Sequence, residues 1–400
     1  MKTLVVNFPL LALYLLMPWH DAGQDPGRFR IVPVFPDQAE LDSANIDSDS
    51  ELYRFIRFFL FLLPEEFSHH LSLEALKWLH RCKLSWLLRP KSERLPVSLF
   101  GLNFPNPVGL AAGLDKNGDY LDALGALGFG FVEIGTVTPK PQPGNPKPRL
   151  FRLPEHEAII NRMGFNNKGL DYVVERLKSR HYRGIVGVNI GKNYATPVTA
   201  ALSDYLLCLR GVYAHADYVV INLSSPNTPG LRSLQFGESL HELLAALKKE
   251  QADLQEHYRK YVPLLVKISP DLEPADIEQI AAAFLLHGID GVIATNTTIA
   301  RGEALQGTAK GREAGGLSGA PLTAQATWVL TQLKRALAGK IPVIGVGGIM
   351  DGASGLAKLQ AGATLLQIYT GFIYHGPALI AAIVEQLQTD RQNAASEAER

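Results

Sequence analysis

Eight short apolar runs recur between residues 108 and 369, with helix-like segments between them. They are Val108–Ala112, Phe131–Thr136, Ile185–Ile190, Tyr218–Leu223, Pro263–Ile268, Gly291–Thr295, Pro342–Val346 and Thr364–Tyr369. Runs that are continuously apolar, rather than alternating, belong to strands covered on both faces. Six of the seven connections have room for a crossover helix, and the first is short but sufficient. Strands alternating with helices in this way lie parallel, and eight of them close into a (β/α)₈ TIM barrel. A doubly wound open sheet is the competing α/β architecture.

In a barrel the carboxyl ends of the strands meet at one rim, where the chemistry sits. Those ends carry Ala112 to Lys116, Gly135 and Thr136, Asn189 to Lys192, Asn222 with Ser225, Lys267, Thr295 to Thr297, Gly345 to Gly348, and Tyr369 to Gly371. Every strand ends in small or hydrogen-bonding groups, with two or three lysines among them, and there is no His-carboxylate set. Metal-assisted hydrolysis is therefore poorly supported, and no metal is expected. The fourth run ends most abruptly, in Ser224-Ser225-Pro226-Asn227-Thr228-Pro229-Gly230. Its two prolines prevent the strand from continuing and a helix from starting at once. A hydroxyl and carboxamides are thus presented at the rim, although the same residues also make ordinary turns.

The glycines after the seventh and eighth runs, Gly345, Gly347, Gly348 and Gly371, fall where barrels commonly hold a phosphate. Gly315 to Gly319 adds another glycine-rich approach. Asn161, Asn222, Asn227 and Asn296 come from separate parts of the rim. Each carboxamide donates and accepts side by side, which suits the imide and amide edges of a neutral ring. A nearby lysine suits a carboxylate on that ring. The long connections 137–170 and 224–237 read as lids.

Lys plus Arg equals Asp plus Glu at 39 each, which argues against a nucleic-acid binder. The two cysteines, Cys82 and Cys208, are far apart and fit a reducing compartment. Residues 1–20 resemble a signal-peptide core that lacks a cleavage site. Residues 21–50 are acidic and proline-spaced, and residues 1–50 as a whole are read as a disordered or weakly structured extension. Residues 51–92 read as a helical hairpin. Its first helix, over 52–63, is very apolar and ends at Pro64, and its second runs from about Ser68 to Leu88. Their apolar surface, basic residues and Trp78 and Trp86 fit a pair lying in a membrane interface. Packing against the rest of the chain, or a dimer contact, is the alternative. Residues 95–105 read as a small hairpin, residues 93–386 as the barrel domain and 387–400 as a tail.

The motifs closely resemble those of the dihydroorotate dehydrogenases, in particular the quinone-linked class 2 branch. They include GLAAGLDK (109–116), EIGTVTPKPQPGNPKPRLFRL (133–153), NRMGFNN (161–167), INLSSPNTPGLR (221–232), VKISPDL (266–272), GVGGI (345–349) and QIYTGFIY (367–374). The resemblance runs from about Leu52 to Glu385. It implies bound FMN held by Ala112, Gly113, Leu114, Asp115, Lys116, Thr136, Asn189, Asn222, Lys267, Thr295, Gly319, Gly348, Tyr369 and Thr370. It implies dihydroorotate held by Lys116, Asn161, Arg162, Met163, Gly164, Phe165, Asn222, Asn227, Asn296 and Thr297. The catalytic base corresponds to Ser225, where the soluble class 1 enzymes carry cysteine, and His69 looks like the family histidine near the quinone tunnel. The resemblance further implies oxidation to orotate in pyrimidine biosynthesis and a membrane quinone as acceptor. The enzyme is expected to be a monomer in peripheral contact with the cytoplasmic face of a bacterial inner membrane, or with a mitochondrial inner membrane.

Overall fold

The computed structural model describes residues 14–18, 29–33, 48–91 and 94–398. The chain forms two units, residues 1–48 and 49–400. In the first, Tyr14–Pro18 and Phe29–Pro33 pair antiparallel. The second strand falls in the stretch expected to lack regular structure. Other readings of residues 1–47 lie outside the described residues.

Helix α1 is Ser48–Leu62 and helix α2 is Glu65–Arg81. Pro64 divides them, and Glu65 and Glu66 occupy the first turn of α2, where the helix dipole favours acidic groups. The expected helix over 68–88 therefore starts earlier and stops earlier. Lys83 adopts φ 60°, and Leu84 N–H bonds back to the Leu79 carbonyl at 2.8 Å, a left-handed helix ending. Only a short 3₁₀ turn, Ser85–Leu88, follows.

The barrel strands are β1 Val108–Leu110, β2 Phe131–Val137, β3 Ile185–Ile190, β4 Tyr218–Asn222, β5 Leu264–Ile268, β6 Gly291–Ala294, β7 Val343–Val346 and β8 Leu365–Ile368. They close in order, all pairs parallel, with β8 against β1. Every strand except β3, whose first residue is partly exposed, is buried throughout, as unalternating apolar runs require. The hairpin Val97–Leu99 and Leu102–Phe104 supplies Phe104, whose ring packs 5.2 Å from that of Phe131 at the start of β2. Phe104, Phe131, Tyr218 and Leu265 plug the amino-terminal end of the barrel. That leaves the opposite rim for a site.

Above the plug one carboxylate is buried. Glu133 accepts from Gln367 Nε2 at 2.5 Å, Asn189 Nδ2 at 2.9 Å and Tyr218 OH at 3.1 Å. Three donors satisfy a charge that would otherwise be very costly to bury. At the rim, Leu150–Leu153, Ala158–Asn161 and Gly316–Gly319 form a three-stranded antiparallel sheet. The long 137–170 connection is thus partly ordered as a hairpin over the mouth. The last helix, Ala378–Ala398, continues through residue 387 without a break.

Candidate active site

The ends of β2, β3 and β4 are tied into one polar floor. Asn222 Nδ2 donates to Thr136 Oγ1 and to Asn189 Oδ1, each at 3.1 Å, and Thr136 Oγ1 donates to Asn189 Oδ1 at 2.6 Å. Asn189 is fully buried beneath the cavity and does not line it. It hands the network down to Glu133. Asn222 Oδ1 in turn accepts from Asn296 Nδ2 at 3.4 Å, and Asn296 Nδ2 also donates to Ser224 Oγ at 3.0 Å. Five carboxamide and hydroxyl side chains from four strand ends therefore fix one another's orientation.

Ser225 follows on the β4 loop and is buried. Its Oγ accepts the backbone N–H of Asn227 at 3.3 Å. The Asn227 side chain crosses the mouth to the Asn161 carbonyl at 3.1 Å. Arg232 staples this loop down: it donates to the Ser224 carbonyl at 3.2 Å and the Thr297 carbonyl at 3.1 Å, and it pairs with Asp271 at 2.9 Å.

Two lysines enter the same cavity. Lys267 is buried with no hydrogen-bond or ion-pair partner among the described residues. Burial lowers its proton affinity, and the Glu133 carboxylate pulls it back up. Lys116 Nζ donates to the Gly113 carbonyl at 2.6 Å. Burial and then the Arg149 charge bring its pKa down to about 8, opposed by Glu66 and Asp115.

Glycines form the wall under β7. Gly348 has φ +73°, and a Cβ there would lie 2.3 Å from Thr323 Cα, so the backbone must run bare. The Thr323 hydroxyl donates to the Gly348 carbonyl at 2.8 Å. Gly347 and Gly319 are also left-handed, and Thr370 Oγ1 donates to Ser318 Oγ at 2.8 Å beside them.

One cavity gathers Ala112, Gly113, Lys116, Thr136, Asn222, Lys267, Thr295, Gly319, Gly348, Tyr369 and Thr370, and with them Asn161, Met163, Gly164, Phe165, Ser225, Asn227, Asn296 and Thr297. Four residues of the expected set stand elsewhere. Asn189 braces the floor from below. Asp115 is buried and accepts the backbone N–H groups of Asn117, Asp119 and Tyr120, so it shapes the β1 loop. Arg162 turns away to Glu313 at 2.6 Å and lies over the Phe151 ring. Leu114 lines a second cavity. Sequence reasoning missed Gln367, Ser318 and Arg232. Gln367 lay at the end of an apolar run and carries a polar group there, a signal that was available.

The second cavity, of about 400 Å³, lies between α1, α2 and the barrel. Its lining is almost wholly apolar, including Leu60, Phe61, Leu73, Leu76, Phe372 and Ile373. Its polar side chains include His69 and Arg152. Arg152 donates to the Leu60 carbonyl at 3.1 Å and to the Leu63 carbonyl, and sits 4.5 Å from the Phe61 ring centre. It thereby ties the end of α1 to the barrel. Burial, with Lys116 next, drives His69 down to about 3, so its ring is neutral near pH 7. Tyr369 borders both cavities.

Comparison with known proteins agrees with this geometry. A family model described as Dihydroorotate dehydrogenase matches residues 94–390. The chain is 61% identical over 331 residues to the dihydroorotate dehydrogenase (quinone) of Cellvibrio japonicus, covering 83% of this chain and 96% of that one. It is 56% identical over 336 residues to the enzyme so named in Pseudomonas paraeruginosa, covering 84% and 98%. Among solved structures it is similar to DHODH in complex with ferulenol from Eimeria tenella, with a TM-score of 0.74 and 40% identity, covering 82% of this chain and 92% of that one. Members of this family are flavin-dependent in general. With most of its length matched, and each of these curated relatives named for a quinone, this chain belongs to the quinone-dependent branch of the dihydroorotate dehydrogenase family.

Proposed function

We propose that this chain oxidises dihydroorotate to orotate with bound FMN, passes the electrons to a membrane quinone, and so serves pyrimidine biosynthesis. The observation that carries the reading is the single cavity shared by Ser225, Lys267, the carboxamide cluster and the Gly348 loop, with Tyr369 lining both it and an apolar chamber.

The rim residues fit a flavin nucleotide. The bare backbone at Gly347 and Gly348 beside Thr370 offers an anion its N–H groups. Gln367 Oε1 is buried at the cavity with no partner among the described residues, an acceptor suited to a ring N–H. Lys267 would lie against the ring system and stabilise negative charge there. When bound, FMN supplies the acceptor for the hydride leaving C6 of dihydroorotate and the conduit for its electrons.

The chain's own groups do the remaining work. Lys116 binds the substrate carboxylate, and Asn161, Asn222, Asn227 and Asn296 address the imide and amide edges. Ser225 Oγ takes the proton from C5. A serine is a weak base, so its proton must be relayed onward. Thr228, buried in the same loop and its only threonine, is the residue we assign to that relay. The Ser224–Gly237 loop, held by Arg232, excludes water from the reacting face.

The quinone would enter the apolar chamber through α1 and α2, whose Phe55, Phe67 and Trp78 are each more than half exposed. No helix among the described residues is long and apolar enough to cross a membrane. We propose peripheral contact with the cytoplasmic face of a bacterial inner membrane, a mitochondrial inner membrane being the alternative, with residues 51–92 as the membrane-contacting domain and residues 93–386 as a monomeric FMN barrel. An anaerobic absorbance spectrum tests the core of it. Purified protein should show a flavin band near about 450 nm that bleaches on adding dihydroorotate. Absence of the band, or a band that dihydroorotate leaves unchanged, overturns the proposal.

A further inference from the structure

A cleft of about 310 Å³ separates α2 from the barrel helix Leu170–Lys178, away from both cavities described above. Its basic side chains are Lys77, His80 and Arg81 on α2, and Arg176, Arg180 and His181 on the barrel side. The cleft also holds two carboxylates, Asp119 and Asp122, and both are engaged. Asp119 accepts from Lys168 Nζ at 2.8 Å and Tyr172 OH at 2.6 Å. Asp122 accepts the backbone N–H groups of His181 and Tyr182 at 2.9 and 2.8 Å, and lies 3.4 Å from His181 Nδ1.

The basic side has donors to spare. Arg176 Nε is buried with no hydrogen-bond partner, at 3.7 Å from Asp119. Arg180 Nη1 is buried with none either, while its Nη2 stands 3.6 Å from Asp217. Lys77 rests 5.2 Å from the Tyr120 ring centre, and neither it nor Arg81 has an ion-pair partner among the described residues. Both guanidinium groups, on side chains 38 and 20% exposed, are thus only partly matched by these carboxylates, and a phosphate supplies several acceptors at once.

The position on α2 indicates where that phosphate comes from. At 100° per residue, Phe67, Leu71 and Trp78 fall within about 40° of one another. All three are exposed, at 58, 44 and 62%. Arg81 and Lys77 lie about 60° and 100° further round, on the flank that faces the cleft. The apolar stripe and the basic cleft are thus neighbouring sectors of one helix, an apolar face beside a cationic one, as at a lipid headgroup layer. We propose that this cleft binds the phosphate of an anionic phospholipid headgroup. The proposal rests on the reading that α1 and α2 meet a bilayer, and it adds a lipid-selective site to that contact.

The test is co-sedimentation of the full chain with phosphatidylcholine vesicles, with and without phosphatidylglycerol. Wild type should bind both and prefer the anionic ones. The Arg176→Gln/Arg180→Gln pair should lower affinity for the anionic vesicles by more than diffuse attraction accounts for, which is roughly fivefold per cation or about 25-fold for two, and leave binding to neutral vesicles unchanged. Lys77→Gln, on the opposite wall, should likewise cost more than about fivefold. Flavin bleaching by dihydroorotate in each variant shows that it is folded. The exposed pair Lys83→Gln/Lys91→Gln removes equal charge outside the cleft. An equal loss in that pair means diffuse attraction and overturns the site. If glycerol 3-phosphate binds in an Arg176- and Arg180-dependent way while vesicle preference is untouched, the site is one for a soluble phosphate and the lipid proposal fails. If the chain binds no vesicle at all, the membrane reading fails and the lipid site with it.

Discussion

The Ser225 hydroxyl oxygen lies 3.3 Å from the backbone N–H of Asn227, two residues along the same loop. That bond leaves the serine proton free to be given away, and it fixes the oxygen by backbone rather than by a rotatable partner. Replacing Ser225 by Ala should slow flavin reduction by dihydroorotate about 10²-fold or more, with flavin still bound. Stopped-flow absorbance measures it, and a near-normal rate removes Ser225 as the base.

Lys116 gives a pH signature. Its pKa is lowered to about 8, chiefly by burial, so it is cationic below that value and loses its charge above it. Anion binding favours the cation, so affinity for orotate should be flat below pH 8 and weaken above it, by up to tenfold per unit. Lys116→Met should bind orotate weakly and lack that limb. Titrations from pH 6 to 10 by flavin absorbance decide it, and an unchanged limb in the variant would assign the ionisation elsewhere.

Gly348→Ala should cost the protein its flavin. The added carbon meets the Thr323 backbone at 2.3 Å, and φ +73° is strained for alanine. The expected product is a folded barrel with much reduced flavin-to-protein absorbance. Full flavin content would show that the loop has another role.

Deleting residues 51–89 should spare dihydroorotate-driven flavin reduction and weaken turnover with a long-chain quinone. The deletion removes one wall of the apolar chamber and the backbone carbonyls of Leu60 and Leu63 that hold Arg152. Normal quinone turnover by the truncated chain would contradict the assignment of that chamber.

The barrel was legible because its strands are buried on both faces, so their positions could be read to within a residue or two from apolar runs alone. The end of α2 was not, because Lys83 takes a left-handed conformation that no local pattern announces. Within the site, the expected residues that stand apart show how neighbours diverge. Arg162 directly follows a rim strand ending in Asn161, and successive side chains of an extended chain face opposite ways. So Asn161 and Met163 face the cavity while Arg162 faces Glu313. Leu114 and Asp115 sit between Gly113 and Lys116 in one motif, yet a tight loop points one toward the helices and the other into its own turn. Motif membership locates the loop, and only the backbone path assigns each side chain.

Tyr369 lines both chambers. On the reading proposed above, donor and acceptor use different chambers and need never occupy the protein at the same moment. The reductive and oxidative halves are then kinetically independent, and double-reciprocal plots at several acceptor concentrations should run parallel. A molecule lodged on the acceptor side would throttle turnover without displacing the carboxylate-bearing ring on the other.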